Sequence, residues 1–490
     1  MDSVSRALRM AARSVIGIGP RSIDLLPLAR LGLLSSVLNY EGHPFAAPTD
    51  SLTGSLTGSS TGSLADSPEV WTLESGRGHR RNHWRPADVA EVAHALRTAI
   101  DARGEHPVVV LPYSPNRQQE AVLARCRPTV RSAANSRDIL DGLHDKILVR
   151  AALRGIGVPV PASLAVHRSD PRTADAVAEL GLPFVAQTRS GFAGKGTYLI
   201  RSPADLDAAL AEKPAVEQWL LSAYVGECTV NFTAVVDGRG RVRVAPPAVQ
   251  LGDLAAPNGF GNYGGNDFAA ARDIDPAVLR LGERWTARIG SWLAGRGFLG
   301  MFGVDYVVAD GALDAIEVNP RMQASSALLG EIELANGLLP TAVRHLAAFL
   351  DDEADDEADD EIDDEETVCE QVGAAQLALR EHGGSRLVAR APRPGRYAVV
   401  DGRLVFAGPA DGLLECGAHE VVVVGVPAED TLLSNGATLA RVITRERLVD
   451  ATGTLLPTAH ALSDAVRAAF DLQSPHQRHQ RPMALLGRVT

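Results

Sequence analysis

The segment FGVDYVVADGALDAIEVNPR (Phe302–Arg321) constrains this chain most. Two apolar runs, Gly300–Val308 and Leu313–Val318, flank the turn signal Ala309–Gly311 and predict a β-hairpin. Side chains alternate along a strand, so Asp305 on one strand and Glu317 and Asn319 on the other are expected on one face. Three oxygen ligands on adjacent strands suit a hard cation such as Mg2+, which keeps waters and substrate phosphates in its shell. Arg321, two residues past Asn319, can set a guanidinium against a transferring phosphoryl group. A solvent-facing strand with scattered acids is the competing reading, and a second motif upstream favours the cation site. That motif is RSGFAGKGT (Arg189–Thr197), between strand candidates Phe184–Gln187 and Tyr198–Ile200. Its glycines let backbone approach a ligand closely, the turn N–H groups can form an anion nest, and Lys195 adds a point charge suited to phosphate. It is not a Walker loop, which opens a helix.

The rest of the chain alternates in a recognisable order. Glu69–Leu73, Pro86–Arg103, Pro107–Leu111, Gln118–Arg125 and Thr129–Arg131 read as strand, helix, strand, helix, strand, an open parallel αβ unit. Asp138–Gly155 reads as one helix ending in Gly. Further strands are predicted at Val216–Leu220, Cys228–Val236 and Arg241–Val244, and an amphipathic helix at Arg280–Gly295. The Gly/Asn-rich Gly259–Phe268 is a candidate lid, with Tyr263, Asn266 and Asp267 able to meet substrate. Residues 371–470 read as mostly β, with strands at Tyr397–Val400, Val421–Val424 and Ala440–Ile443 and a closing helix Ala459–Phe470. The first 45 residues give no clear element, and HRRNHW (His79–Trp84) is taken as a loop rather than a nucleic-acid patch.

Charge narrows the functional classes. The net charge is −12, but Asp351–Glu366 alone holds 13 acidic residues and no basic one, which leaves the remainder at +1. A near-neutral body argues against general nucleic-acid binding. The acidic tract and the repeat SLTGSLTGSSTGSLAD (Ser51–Asp66) cannot bury enough apolar area to order themselves, and both are expected as linkers or insertions. Cys126, Cys228, Cys369 and Cys416 are widely spaced, so reduced thiols are expected and a zinc site is not. No run of 18 apolar residues exists, and no membrane span is expected. The Arg- and Ser-rich start has the composition of a transit peptide, but that bias continues through the chain, so a cytoplasmic protein is expected.

With these motifs in order, residues 140–330 resemble the ATP-grasp superfamily. HDKILVRAALRGIGVPVPAS is similar to the family's opening Asp-Lys helix, which implies Lys146 on the α/β-phosphates. LPFVAQTRSGFAGKGTYLI resembles the strand, Gly-rich loop and strand over the triphosphate, implying nucleotide contacts from Gln187, Gly191, Gly194, Lys195 and Gly196. AVEQWL resembles the hinge, so Glu217 and the backbone of Gln218 and Leu220 would hold adenine. Glu227 in GECTV stands where relatives accept a ribose hydroxyl, with three residues inserted before it. By the same resemblance Asp305, Glu317 and Asn319 take magnesium, and Arg321 steadies an acyl phosphate. One departure is PFVAQ, where the family's PxVxK carries a second phosphate lysine. Gln187 brings no charge there, and Arg189 and Lys195 could compensate.

The resemblance implies an α/β and α+β protein: an N-terminal doubly wound pre-ATP-grasp domain (1–136, with the 51–66 insertion), a two-subdomain ATP-grasp fold (137–350), an acidic linker (351–367) and a small C-terminal β-rich domain (368–490). It implies a ligase that uses ATP with Mg2+, or Mn2+, to form an amide between a carboxylate and an amine through an acyl phosphate. QASS after Arg321 and the C-terminal GATLARVIT segment resemble the pheganomycin-type bacterial peptide ligases. A biotin-carboxylase-like enzyme and a non-catalytic nucleotide-binding regulatory protein are the alternatives. Substrates are expected to be small molecules or peptides, without nucleic acid or membrane, and a homo-oligomer stays open.

Overall fold

The computed structural model describes residues 15–475 except 20, 40–68, 75–77, 82–84, 105, 127–129, 171–177, 192–195, 227, 253, 255–259, 351–372 and 451. The Ser/Gly/Thr repeat, the acidic tract, Cys369, Gly194, Lys195 and Glu227 therefore lie outside the described residues.

In the N-terminal unit, β1 (Val15–Gly19), β2 (Leu34–Asn39) and β3 (Glu69–Thr72) are followed by β4 (His79–Arg80), β5 (Val108–Pro112) and β6 (Val130–Ser132). Five of them form a parallel sheet in the order β3-β2-β1-β5-β6, the doubly wound arrangement expected. The central strands β1 and β5 carry no polar side chain and are buried throughout because both faces are covered. Ile16, Ile18, Val108 and Val110 pack with the helix Val89–Asp101, while Val15, Val109 and Leu111 pack with Leu25, Leu28, Val343 and Leu346. β1 and β2 lie in the stretch where no element was expected. Their apolar runs are too short to carry a period of their own.

Next come β7 (Ser163–His167), β8 (Phe184–Thr188), β9 (Thr197–Ile200) and β10 (Gln218–Ala223), a small antiparallel sheet in the order β7-β10-β8-β9. Trp219, Phe184 and Leu206 close its own core against the helix Pro203–Glu212.

The largest sheet has eleven strands. It begins with β11 (Cys228–Val236), β12 (Val242–Val244), β13 (Ala248–Gly252), β14 (Tyr263–Asp267), β15 (Gly300–Ala309) and β16 (Ala312–Asn319). After the acidic tract it continues with β17 (Ala375–Arg380), β19 (Gly395–Val400), β20 (Arg403–Gly408), β21 (Glu420–Val424) and β23 (Thr438–Thr444), while β18 (Arg386–Arg390), β22 (Leu432–Leu433) and β24 (Asp471–Gln473) belong to a separate small sheet. The order β16-β15-β11-β13-β14-β17-β23-β21-β19-β20 runs without a break across the tract, with β12 on β11. The β-rich C-terminal region thus extends the central sheet rather than standing beside it.

The seam is β14 against β17, and it corrects the expectation of a lid at Gly259–Phe268. Residues 263–267 are strand, and Gly264 to Asp267 are buried. Gly265, at φ 151, lets the two backbones meet, since a Cβ there would lie 1.9 Å from the Gln376 carbonyl oxygen. Asp267 is fully buried, and both its oxygens are engaged within the fold, accepting N–H bonds from Ala270 (2.8 Å) and Leu448 (2.7 Å).

A second correction concerns Asp138–Gly155. The single helix expected is two, Arg137–Leu143 and Lys146–Gly155, because Asp145 caps the second by accepting from the Ile147 and Leu148 N–H groups at 3.0 and 3.2 Å. His79–Arg80 is likewise not plain loop. It pairs with β22 in the small sheet β24-β18-β22-β4.

Helices Ser326–Ala335 and Thr341–Ala348 follow the site hairpin. Glu333 on the first accepts the Thr341 N–H at 2.7 Å and its hydroxyl, joining the pair, and burial pushes its carboxyl up to about 7. No helix among the described residues is long and apolar enough to cross a membrane.

Candidate functional site

The two-residue turn Asp310–Gly311 has positive φ at both positions (49° and 76°), the geometry that matches the twist of a hairpin. From Ala309↔Ala312 the pairing runs evenly to Tyr306↔Ala315, then shifts by one residue so that Asp305 faces Glu317 and Gly303 faces Asn319. The shift leaves Ile316 as an extra residue in β16, a bulge. Arg150, buried on the second helix of the broken pair, donates to the Ile316 carbonyl at 3.0 Å. Burial holds its guanidinium down to about 10, still cationic at neutral pH. Sequence reasoning missed Arg150, since its only signal is one charge on an apolar helix face.

Asp305 is the centre of the cluster. Asn231 lies opposite it on β11 and donates to one carboxylate oxygen at 2.6 Å, while Asn319 donates to the other at 3.2 Å. Gln323 reaches over Gly303, where a Cβ would lie 2.4 Å from its side chain, and donates to the Arg321 carbonyl at 3.2 Å. Burial, then the nearby Glu317 carboxylate, raises the Asp305 carboxyl to about 6. Glu317 is bonded to the Lys146 ammonium. Lys146 is held at the helix start by its N–H to the Arg189 carbonyl (2.9 Å) and by the Asp145 cap, and Asp145 also accepts from Arg189 Nε at 2.5 Å. One residue thus fixes the lysine and the base of the Gly-rich hairpin together.

Two like charges held side by side, in an all-oxygen donor set braced by amides, fit a hard divalent cation, which would relieve their repulsion. Among the described residues no group of three or more His, Cys, Asp or Glu side chains forms a metal cluster.

Six residues expected at the site line one cleft of about 1030 Å³: Lys146, Gly191, Asp305, Glu317, Asn319 and Arg321. Tyr263 and Asn266 line it too, joined by a 2.6 Å bond from the Tyr263 hydroxyl. So do residues never expected there, among them Arg21, Tyr113 and Gln119 of the N-terminal unit and Arg380 and His382 of the C-terminal region. His144, on the same wall, is held below its ordinary value by burial and by Arg137 and Arg321, so it is neutral at pH 7.

The hinge residues stand elsewhere. Glu217 and Gln218 are exposed at the start of β10, the Glu217 carbonyl accepting the Arg168 N–H at 2.7 Å, and Leu220 is buried opposite Gln187. None of these four lines the cleft. Gln187 donates to the Thr197 hydroxyl at 3.4 Å. Gly191 and Gly196 border a second cavity of about 310 Å³ with Thr188, Arg189 and Lys213. Gly196, at φ 79, packs so closely on Thr188 that a Cβ would approach its hydroxyl to 2.4 Å.

Residues 143–325 match the family described as the ATP-grasp domain. The chain is 28% identical over 190 residues to the arginine-specific large chain of carbamoyl phosphate synthase from Geobacillus stearothermophilus, covering 38% of this chain and 17% of that one. It is 29% identical over 210 residues to D-alanine–D-alanine ligase from Moorella thermoacetica, covering 40% and 65%. It therefore spans less than two thirds of either relative. In fold it is similar to the biotin carboxylase domain of Hydrogenobacter thermophilus 2-oxoglutarate carboxylase, solved with MgADP, ADP and bicarbonate. The TM-score is 0.59 at 11% identity, covering 94% of this chain and 90% of that one.

Proposed function

Because residues 143–325 form an ATP-grasp domain, we propose that the chain is an ATP-dependent ligase that joins a carboxylate to an amine and releases ADP and phosphate. The observation that carries this reading is the convergence of Asp305, Glu317 and Asn319 with Lys146 and Arg321 on one cleft. Asp305, Glu317 and Asn319 would hold Mg2+, whose chemistry is to screen the charge of the phosphates during transfer. Lys146, exchanging Glu317 for a phosphate oxygen, and Arg321 would offset charge on the phosphoryl group as the substrate carboxylate attacks it. The amine then attacks the acyl carbon: the C–N bond forms, the C–O bond to phosphate breaks, and phosphate leaves as the amine gives up a proton. The hairpin β8–β9 above Lys146 would exclude water, which otherwise hydrolyses that intermediate.

The test is phosphate release from ATP with amino acids and short peptides supplied singly and in pairs, with Glu317→Ala as control. The ligase reading expects release that needs both a carboxylate and an amine and falls at least a hundredfold in the variant. Full activity in Glu317→Ala would remove the metal assignment. The extent of the fold similarity favours one second reading, a carboxylase acting on bicarbonate. Release stimulated by bicarbonate without an amine would support it. ADP formation in neither assay would favour a nucleotide-binding regulatory protein. A role in bacterial peptide or specialised-metabolite biosynthesis goes with the peptide-ligase form of the proposal.

A further inference from the structure

The part of the cleft wall supplied by the N-terminal unit contains an unexplained polar group. Gln119 lies on the short helix Arg117–Leu123, is 3% exposed, and lines the cleft. Among the described residues its side-chain oxygen, buried, has no hydrogen-bond partner. The polar groups around it are engaged: Asn116 accepts from the Gln118 and Gln119 N–H groups at 3.0 and 3.1 Å and donates to the Ser114 carbonyl at 3.1 Å. The Tyr113 hydroxyl accepts a long 3.5 Å contact from Arg21, whose Nε is bonded to Asp24 at 2.8 Å. A buried acceptor without a donor works against folding, and a ligand that supplies the donor recovers that cost on binding.

The charges on the cleft indicate what kind of ligand that is. Among the described residues its carboxylates are Asp305 and Glu317, both in the cation cluster, whereas guanidinium groups of Arg21, Arg137, Arg321 and Arg380 stand along its walls. A molecule with an N–H group and a carboxylate complements this wall. Resting on the ligase reading for its substrate class, we infer that Gln119 is a specificity-determining residue that accepts a hydrogen bond from an N–H of a peptide co-substrate. The peptide's carboxylate is drawn to the arginine side of the same cleft.

The test separates this site from a structural role and from the ligase reading itself. The probe is an equimolar mixture of Ala-X dipeptides, with binding read by thermal shift and calorimetry on the full chain. Turnover is read separately by phosphate release. Wild type is expected to be stabilised by the mixture. In Gln119→Met the dipeptide affinity and KM worsen five- to thirtyfold, the scale of one lost hydrogen bond, while ATP affinity and kcat stay within twofold. The melting temperature of Gln119→Met without dipeptide is expected to hold or rise, because the variant buries no unpaired oxygen. Gln119→Glu keeps an acceptor and restores affinity to within threefold of wild type.

Three results overturn the inference: no dipeptide-dependent shift in wild type, unchanged affinity in Gln119→Met, or a melting temperature that falls in Gln119→Met while ATP and dipeptide affinities weaken together. Dipeptide binding that depends on Gln119 without ATP turnover would keep the site and remove the ligase reading. Turnover with amines but no dipeptide binding would do the reverse.

Discussion

Glu317 faces Asp305 because β16 carries one residue more than its partner needs. Counted back from the Asp310–Gly311 turn, unbroken alternation would set Asp305 against Ile316 and turn Glu317 to the other face. The acids themselves were legible in the sequence, since charged residues in apolar strands are rare enough to mark a site. The bulge was not, because what supports it is Arg150, 166 positions away in the chain. Gln119 was illegible for another reason: a neutral amide on a short helix disturbs no pattern.

Burial also shows at Glu333, where the consequence can be measured. Its carboxyl is raised from 4.5 to about 7 in the folded chain, so the native state holds its proton longer than the unfolded one. The stability tied to that proton is complete below pH 4.5 and is lost as pH rises through 7. The loss is on the order of 3 kcal/mol. Glu333→Gln, always neutral, should flatten the decline between pH 5.5 and 8 in urea midpoints. An equal decline in both proteins would refute the assignment.

At the scale of elements, the broken helix and the buried strand share a cause: local sequence gives the same signal for different tertiary uses. Asp145 inside a helical pattern could be a passenger or a cap, and its bonds to Ile147 and Leu148 make it a cap. Gly264 and Gly265 read as part of a lid, yet Gly265 is where two strands close on each other. The difference can be tested by adding a methyl group. In Gly265→Ala the new Cβ meets backbone, which cannot rotate away, and the loss should exceed about 3 kcal/mol. Soluble yield and urea denaturation measure it. A lid glycine would instead change kcat and leave the denaturation midpoint in place.

Over the whole molecule, the doubly wound unit and the paired hairpins could be read from strand and helix periods. The joining of the C-terminal strands to the central sheet could not, since pairing between β14 and β17 spans the acidic tract. A protease cut within 351–372 should therefore yield two fragments that remain together. Size-exclusion chromatography of the nicked protein, followed by mass spectrometry, checks this, and fragments that separate without denaturant would contradict a shared sheet.

The pairing of β4 with β22 bears on how the molecule is made. His79 hydrogen-bonds to Ser434 at 2.8 Å, 355 positions along the chain, and the buried Arg80 donates both to Glu74 (2.9 Å) and to the Gly425 carbonyl. At about 5–20 residues per second, a ribosome needs about twenty to seventy seconds to cross that distance. Through that interval Arg80 has Glu74 beside it but none of the backbone that later encloses it. The N-terminal unit is thus born with an unfinished edge. Gly425 and Ser434 complete that edge once they are made, so the pairing fastens an earlier-made part of the chain to a much later one.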